Sequence, residues 1–116
     1  MQRKFRLTRS EDFKRVRRSG KSYAHPLVVL IVQAHDQPRV KVGVAAGRTV
    51  GTAVYRNRAK RLLREVMRTL IPNIHPGLDL ILIARPGLVS ATLEETRHAL
   101  LNLLQRAQIL IPLNES

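Results

Sequence analysis

The sequence has no cysteine and no tryptophan, and aromatic residues make up only 3% of it. Without cysteine there is no disulfide, no thiolate metal site and no thiol nucleophile. Acids are scarce as well: 8 Asp plus Glu face 21 Lys plus Arg, a formal net charge of +13. Long apolar runs are missing too. The longest unbroken one, Leu27 to Val32, is far below the roughly 20 residues of a spanning helix. Met1-Gln2-Arg3-Lys4-Phe5-Arg6 is charged but is not followed by an apolar stretch of signal-peptide length, so a cytoplasmic location is expected.

What is present suits one folded domain. A length of 116 residues with 44% hydrophobic content supports a single core, so residues 1–116 are expected to form one domain. Such a charge excess repels itself in a compact state, and a polyanion relieves it. Nucleic acid is the first candidate; an anionic membrane fits less well.

Residues 1–9 carry four basic groups and little periodicity, which predicts an extended basic arm. Ser10 is placed to cap a helix over 11–18, with Glu11 and Asp12 in its first turn and Gly20 as its stop. Tyr23 to Ala34 is rich in β-branched residues and reads as one strand, buried on both sides after Pro26. After the turn His35-Asp36-Gln37-Pro38, the alternation of Val40, Val42 and Val44 predicts an antiparallel hairpin partner over 39–46. Thr52 can cap a helix over about 53–71, which Pro72 ends. Leu78 to Ala84 reads as a third strand, and Thr92-Leu93-Glu94-Glu95 matches a capping box. Leu93, Leu100, Leu101, Leu104 and Ala107 then recur at helical spacing. The order α-β-β-α-β-α predicts an α+β fold, a two-layer sandwich over an at least three-stranded mixed sheet.

A protein acting alone as a nuclease needs a base, a nucleophile or a metal-binding carboxylate cluster. The acids offer none at workable spacing. Glu11 and Asp12 belong to a helix start, Asp36 to a turn, Asp79 to a strand start, Glu94 and Glu95 to a cap; Glu65 is ringed by arginine and Glu115 is terminal. His25, His35, His75 and His98 are scattered. Gly43, Gly47 and Gly51 are spaced by four, which is neither a P-loop nor a dinucleotide fingerprint, so no small-molecule substrate is expected. No catalytic residue, metal site or cofactor of the protein's own is therefore expected.

The helix over 53–71 is the most informative segment. On a wheel, Tyr55, Ala59, Leu62, Leu63, Val66 and Leu70 gather on the side expected to face the sheet. Arg56, Asn57, Arg58, Lys60, Arg61, Arg64 and Arg68 fill the remaining arc, with Glu65 the only acid among them. Arg56, Lys60 and Arg64 stand at successive i,i+4 positions and repel one another. An ordinary solvated face mixes signs; this one suggests a missing anion, and arginine's planar fork suits phosphate.

The segment Tyr55-Arg56-Asn57-Arg58-Ala59-Lys60-Arg61-Leu62-Leu63-Arg64-Glu65 resembles the signature of the bacterial ribonuclease P protein family, the pattern RNRxKRxxR. Gly51-Thr52-Ala53-Val54, Asp12-Phe13, Gly20 and Ile83-Ala84-Arg85 fit the same family, so the resemblance covers essentially the whole chain. It implies a fold like the second domain of ribosomal protein S5, with a left-handed β-α-β crossover where the general rule is right-handed. It also implies a protein subunit that assists a catalytic RNA in cutting the 5′ leader from precursor tRNA, the RNA hydrolysing the bond with its own magnesium. Its partners would be that RNA and the precursor tRNA, with no membrane. By this resemblance Arg56, Asn57, Arg58, Lys60, Arg61 and Arg64 bind RNA, joined by Arg68 on the same face and Arg48 just before the helix. Phe13 would belong to a cleft for the single-stranded leader, or equally to the core.

The chain departs from the family in three places: Arg17 stands where many relatives have a second aromatic, Ile31 where some have one, and Ala45 where a small hydroxyl residue is common. With few rings for base stacking, the leader would be held more by the charges of Arg15, Arg17 and Lys21. Two other readings share the charge pattern: a structural or ribosomal RNA-binding protein, and a DNA-binding module using the long helix for recognition. The second lacks a preceding helix-turn to present that helix.

Overall fold

The computed structural model describes residues 1–112; Glu115 lies outside them. The regular elements run in the order α1 (Ser10–Ser19), β1 (Lys21–Ala24), β2 (Val28–Ala34), β3 (Val40–Ala46), α2 (Ala53–Leu70), β4 (Leu78–Ala84) and α3 (Leu93–Arg106). The mixed α+β class is as expected, but the order gains a strand. Pro26 has no N–H for a ladder, so the stretch read as one strand breaks there. The chain reverses instead, His25 N–H donates to the Val28 carbonyl at 2.9 Å, and β1 pairs antiparallel with β2.

The expected hairpin between β2 and β3 does not form. β4 lies between them in the sheet order β1-β2-β4-β3, antiparallel to β2 and parallel to β3. Leu78-Asp79-Leu80-Ile81-Leu82-Ile83-Ala84 is buried along most of its length. A strand that is apolar on both faces gains most from the centre of a sheet, and β4 takes that place.

Side-chain alternation divides the sheet into two unequal faces. Leu30, Leu80, Leu82, Val42 and Val44 point toward α2 and α3 and meet Leu63, Met67, Leu70, Leu100, Leu103 and Leu104 in the main core. Each such side chain contributes about 1.5–3 kcal/mol by leaving water. The opposite face carries Ile31 and Ile81, and on it sits α1 with Val16; Leu7 joins this second cluster while Phe13, Val29 and Ile83 pack at its rim. α1 thus lies across the sheet from α2 and α3.

Two further expectations need correction. Tyr55 does not face the sheet: it is 48% exposed, because the first turn of α2 reaches beyond the packed core. Leu93, read as part of the apolar stripe of α3, is 54% exposed in the first turn, although the capping box around it forms with Glu95 N–H donating to Thr92 Oγ1 and Thr92 N–H to Glu95 Oε1. The N-terminal arm is docked rather than simply extended. Arg3–Phe5 makes a 3-10 turn, after which Arg6 bridges to Val42 and Leu7 N–H donates to the Val42 carbonyl at 2.9 Å. This covers part of the open edge of β3.

Candidate nucleic-acid interface

α2 is amphipathic in the sense the spacing predicts. Ala59, Leu63, Val66, Met67 and Leu70 are buried, while Asn57, Arg58, Arg61 and Arg68 are exposed and Arg56, Lys60 and Arg64 are half-buried. Among the described residues no carboxylate lies within ion-pair distance of Arg56, Arg58, Lys60, Arg61 or Arg64. Arg68 is the exception on this face: it donates to Glu65 Oε1 at 2.8 Å and holds that carboxyl below the usual carboxylate range. The ridge therefore keeps its positive charge uncompensated except at its C-terminal end. Arg48 is exposed in the 3-10 turn Arg48–Val50, which leads through Gly51 into α2. Gly51 has φ of 134°, a backbone region closed to most side chains, and a Cβ there would stand 3.1 Å from the Tyr55 ring. Thr52 takes the N-cap position of α2 without a side-chain cap hydrogen bond, which leaves the first N–H groups of the helix available.

The structure joins this ridge to Phe13, a connection the sequence did not show. A hollow of about 260 Å³ is lined by Arg6 and Thr8 of the arm, Phe13 of α1, Gly43 of β3 and Arg64 of α2. Burial pushes the Arg64 guanidinium below its usual value, and the charge of Arg6 adds to the effect. Two like charges facing one hollow favour an anion between them. Arg6 was not singled out by sequence reasoning. The signal was Leu7, an apolar residue in a basic stretch, whose burial fixes its neighbour against β3.

Phe13 sits at the rim of the smaller cluster, with its ring over Gly43. A Cβ on that glycine would come within 2.4 Å of the ring, so only glycine admits this approach. Gly43 thus floors a trough bordered by Phe13 of α1 and Thr8 of the arm. Arg17 is exposed one turn after Phe13 on α1. The other two cleft candidates lie differently. Arg15 donates to Asp79 Oδ2 at 2.7 Å and to Asp12 Oδ1 at 3.3 Å, and the first of these bonds raises its pKa most. Lys21 is opposite Val32 on the far edge strand, so it points to the face away from Phe13 and lies over the Tyr23 ring at 5.5 Å. The structure brings Phe13 and Arg64 together in one hollow, whose lining does not include Arg17, and leaves Lys21 apart.

Four of the seven described acids are occupied locally: Asp12 and Asp79 by arginine, Glu65 by Arg68, and Glu95 by the cap of α3. No group of three or more His, Asp or Glu side chains among the described residues is arranged to hold a metal ion. No helix of the described residues is long and apolar enough to cross a membrane.

Comparison with known proteins points to one family. Residues 1–108 match the family model described as Ribonuclease P. The chain is 44% identical over 109 residues to the ribonuclease P protein component of Herpetosiphon aurantiacus, covering 94% of this chain and 89% of that one. It is 38% identical to the corresponding protein of Brevibacillus brevis, covering 95% and 88%. Among solved structures, the RNase P protein of Staphylococcus aureus superposes with a TM-score of 0.81 at 26% identity, over 91% of this chain and 97% of that chain. The RNase P protein of Thermotoga maritima gives 0.78 at 30% identity, over 87% and 96%. The exposed arginine ridge, the hollow beside it and these matches lead to one conclusion: the chain belongs to the ribonuclease P protein family.

Proposed function

We propose that this protein grips the catalytic RNA of ribonuclease P through the α2 ridge and the Arg6 and Arg64 hollow. It takes the single-stranded 5′ leader of precursor tRNA along the trough beside Phe13 and Arg17, and so assists endonucleolytic removal of that leader. Hydrolysis belongs to the RNA subunit and its own bound magnesium; the protein contributes affinity and relief of phosphate crowding, holds no cofactor, and works in the cytoplasm. The observation that carries the reading is the ridge itself. A helix with its apolar side docked presents Arg56, Asn57, Arg58, Lys60, Arg61 and Arg64 outward, and the carboxylates of the described chain leave those cations unpaired. The local commitments of Asp12, Glu65, Asp79 and Glu95 support assigning the chemistry to the RNA.

Reconstitution tests this. The purified chain, added to bacterial catalytic RNA at low magnesium, is expected to bring about precursor-tRNA cleavage, and the Arg58→Ala and Arg64→Ala variants are expected to need more protein for the same rate. Absence of stimulation would favour a structural RNA-binding role, and cleavage by the protein without RNA would return the chemistry to the chain.

A further inference from the structure

We infer that Asp79 is a positioning residue: its buried carboxylate pins α1 to the sheet and thereby sets the trough proposed for the leader. This role rests on that reading of the trough. Asp79 lies on β4 with 0% exposure, in register with Gln33 of β2 on one side and Lys41 of β3 on the other. Its two oxygens serve different parts of the chain. Oδ2 accepts from Arg15 Nη2 of α1 at 2.7 Å. Oδ1 accepts from Arg39 Nη1 at 3.2 Å and lies 3.3 Å from His35 Nε2. His35 Nδ1 accepts the Gln37 N–H at 3.1 Å, which places the imidazole proton on Nε2, facing the carboxylate. Arg15 also donates to Gln33 Oε1, so one guanidinium ties α1 to both central strands.

A buried carboxylate is an expensive way to stabilise a fold. Its desolvation costs several kcal/mol, and well-packed apolar replacements of buried ion pairs are often as stable. A conformational role explains its presence better. α1 has little apolar attachment: Val16 is its only fully buried residue. A helix held so lightly could slide over Ile31 and Ile81, and the bond from Arg15 to Asp79 fixes where it stops. Phe13 precedes Arg15 by two residues, and its ring fits over Gly43 with no room for a methyl group. The carboxylate thus determines how Phe13 stands over β3.

The sign of the expected effect separates this role from simple electrostatics. Removing a negative charge from a chain that binds a polyanion should strengthen binding if the overall field were all that mattered. Positioning requires the opposite, and only for the leader. The holoenzyme, reconstituted with wild type, Asp79→Leu or Asp79→Asn, is titrated with precursor tRNA and with the same tRNA lacking a leader. The affinity gained from the leader is expected to fall about tenfold in Asp79→Leu. It should fall less in Asp79→Asn, whose amide keeps one acceptor. Affinity for leaderless tRNA and for the catalytic RNA should not fall. A leader-dependent gain that is unchanged or larger in the variants overturns the positioning role alone. An equal loss with and without the leader overturns it too, as general damage. If Asp79→Leu does not fold, Asp79→Asn decides by the same criterion. A wild-type protein that gains nothing from the leader removes the trough reading, and this role with it.

Discussion

The two faces of the sheet hold their helices by different means. Toward α2 and α3, twenty-one described residues form a continuous apolar core; toward α1 the buried cluster has only Leu7, Val16, Ile31 and Ile81. The thick side fixes α2 so firmly that its repelling arginines stay outward without acids to calm them. On the thin side, cations are treated the other way: Arg15 and Arg39 share the buried carboxylate of Asp79. Apolar packing holds a cationic ridge on one face, and a buried polar anchor meets a lightly packed helix on the other.

The contrast can be broken most severely in the thick core. Leu63→Ala should cost about 2–5 kcal/mol, read as a lower urea midpoint, because a fully buried side chain leaves a cavity. Val16→Ala on the thin side should cost less, about 1–2 kcal/mol from lost burial alone. If both cost the same, the two faces are not built differently. Gly43→Ala comes next: the added methyl meets the Phe13 ring and should cost about 1–3 kcal/mol through overpacking. It should also lower the affinity gained from a leader while affinity for the catalytic RNA is kept, which separates trough from ridge. Thr92→Ala, remote from both surfaces, should cost about 1 kcal/mol through the lost cap of α3 and leave RNA affinity unchanged.

The smallest effect concerns acid. The hydrogen bonds from Thr92 hold the Glu95 carboxyl below its usual value, and Arg68 does the same to Glu65. A carboxyl whose folded pKa is depressed adds stability above its unfolded pKa and loses it as pH falls through the folded one. Stability should therefore be level at neutral pH and decline on acidification below the usual carboxylate range. In Thr92→Ala the decline should be shallower, measured by thermal melts across acidic pH.

The main lines of the site were legible because they are local. The spacing of Ala59, Leu63, Val66 and Leu70 and the arginines between them define the ridge without reference to any other element, and the capping box at Thr92 is local too. Where position depends on pairing across the chain, the sequence was less informative. The insertion of β4 between β2 and β3 is a non-local choice, and a plain apolar run did not reveal it. Pro26 lies in a stretch whose composition reads as one strand, yet it marks a reversal between β1 and β2. Missing β1 as a separate strand also misplaced Lys21, since its face follows from the register with Val32. Tyr55 fell on the apolar side of the wheel, but a wheel does not show where the sheet ends beneath a helix. Asp79 did leave a trace, a lone acid inside Leu78-Asp79-Leu80-Ile81; in a strand buried on both faces, such a residue needs partners, and they are Arg15, Arg39 and His35.

The most direct test of the account is the salt dependence of binding between this protein and the catalytic RNA. If about five ridge cations meet single-stranded phosphates, the log-log slope from them is near −3.5, roughly a hundredfold loss of affinity between 50 and 200 mM salt. Arg58→Ala should make the slope shallower by about 0.7. An affinity indifferent to salt, or a slope that Arg58→Ala leaves unaltered, would contradict the claim that the uncompensated ridge is what holds the RNA.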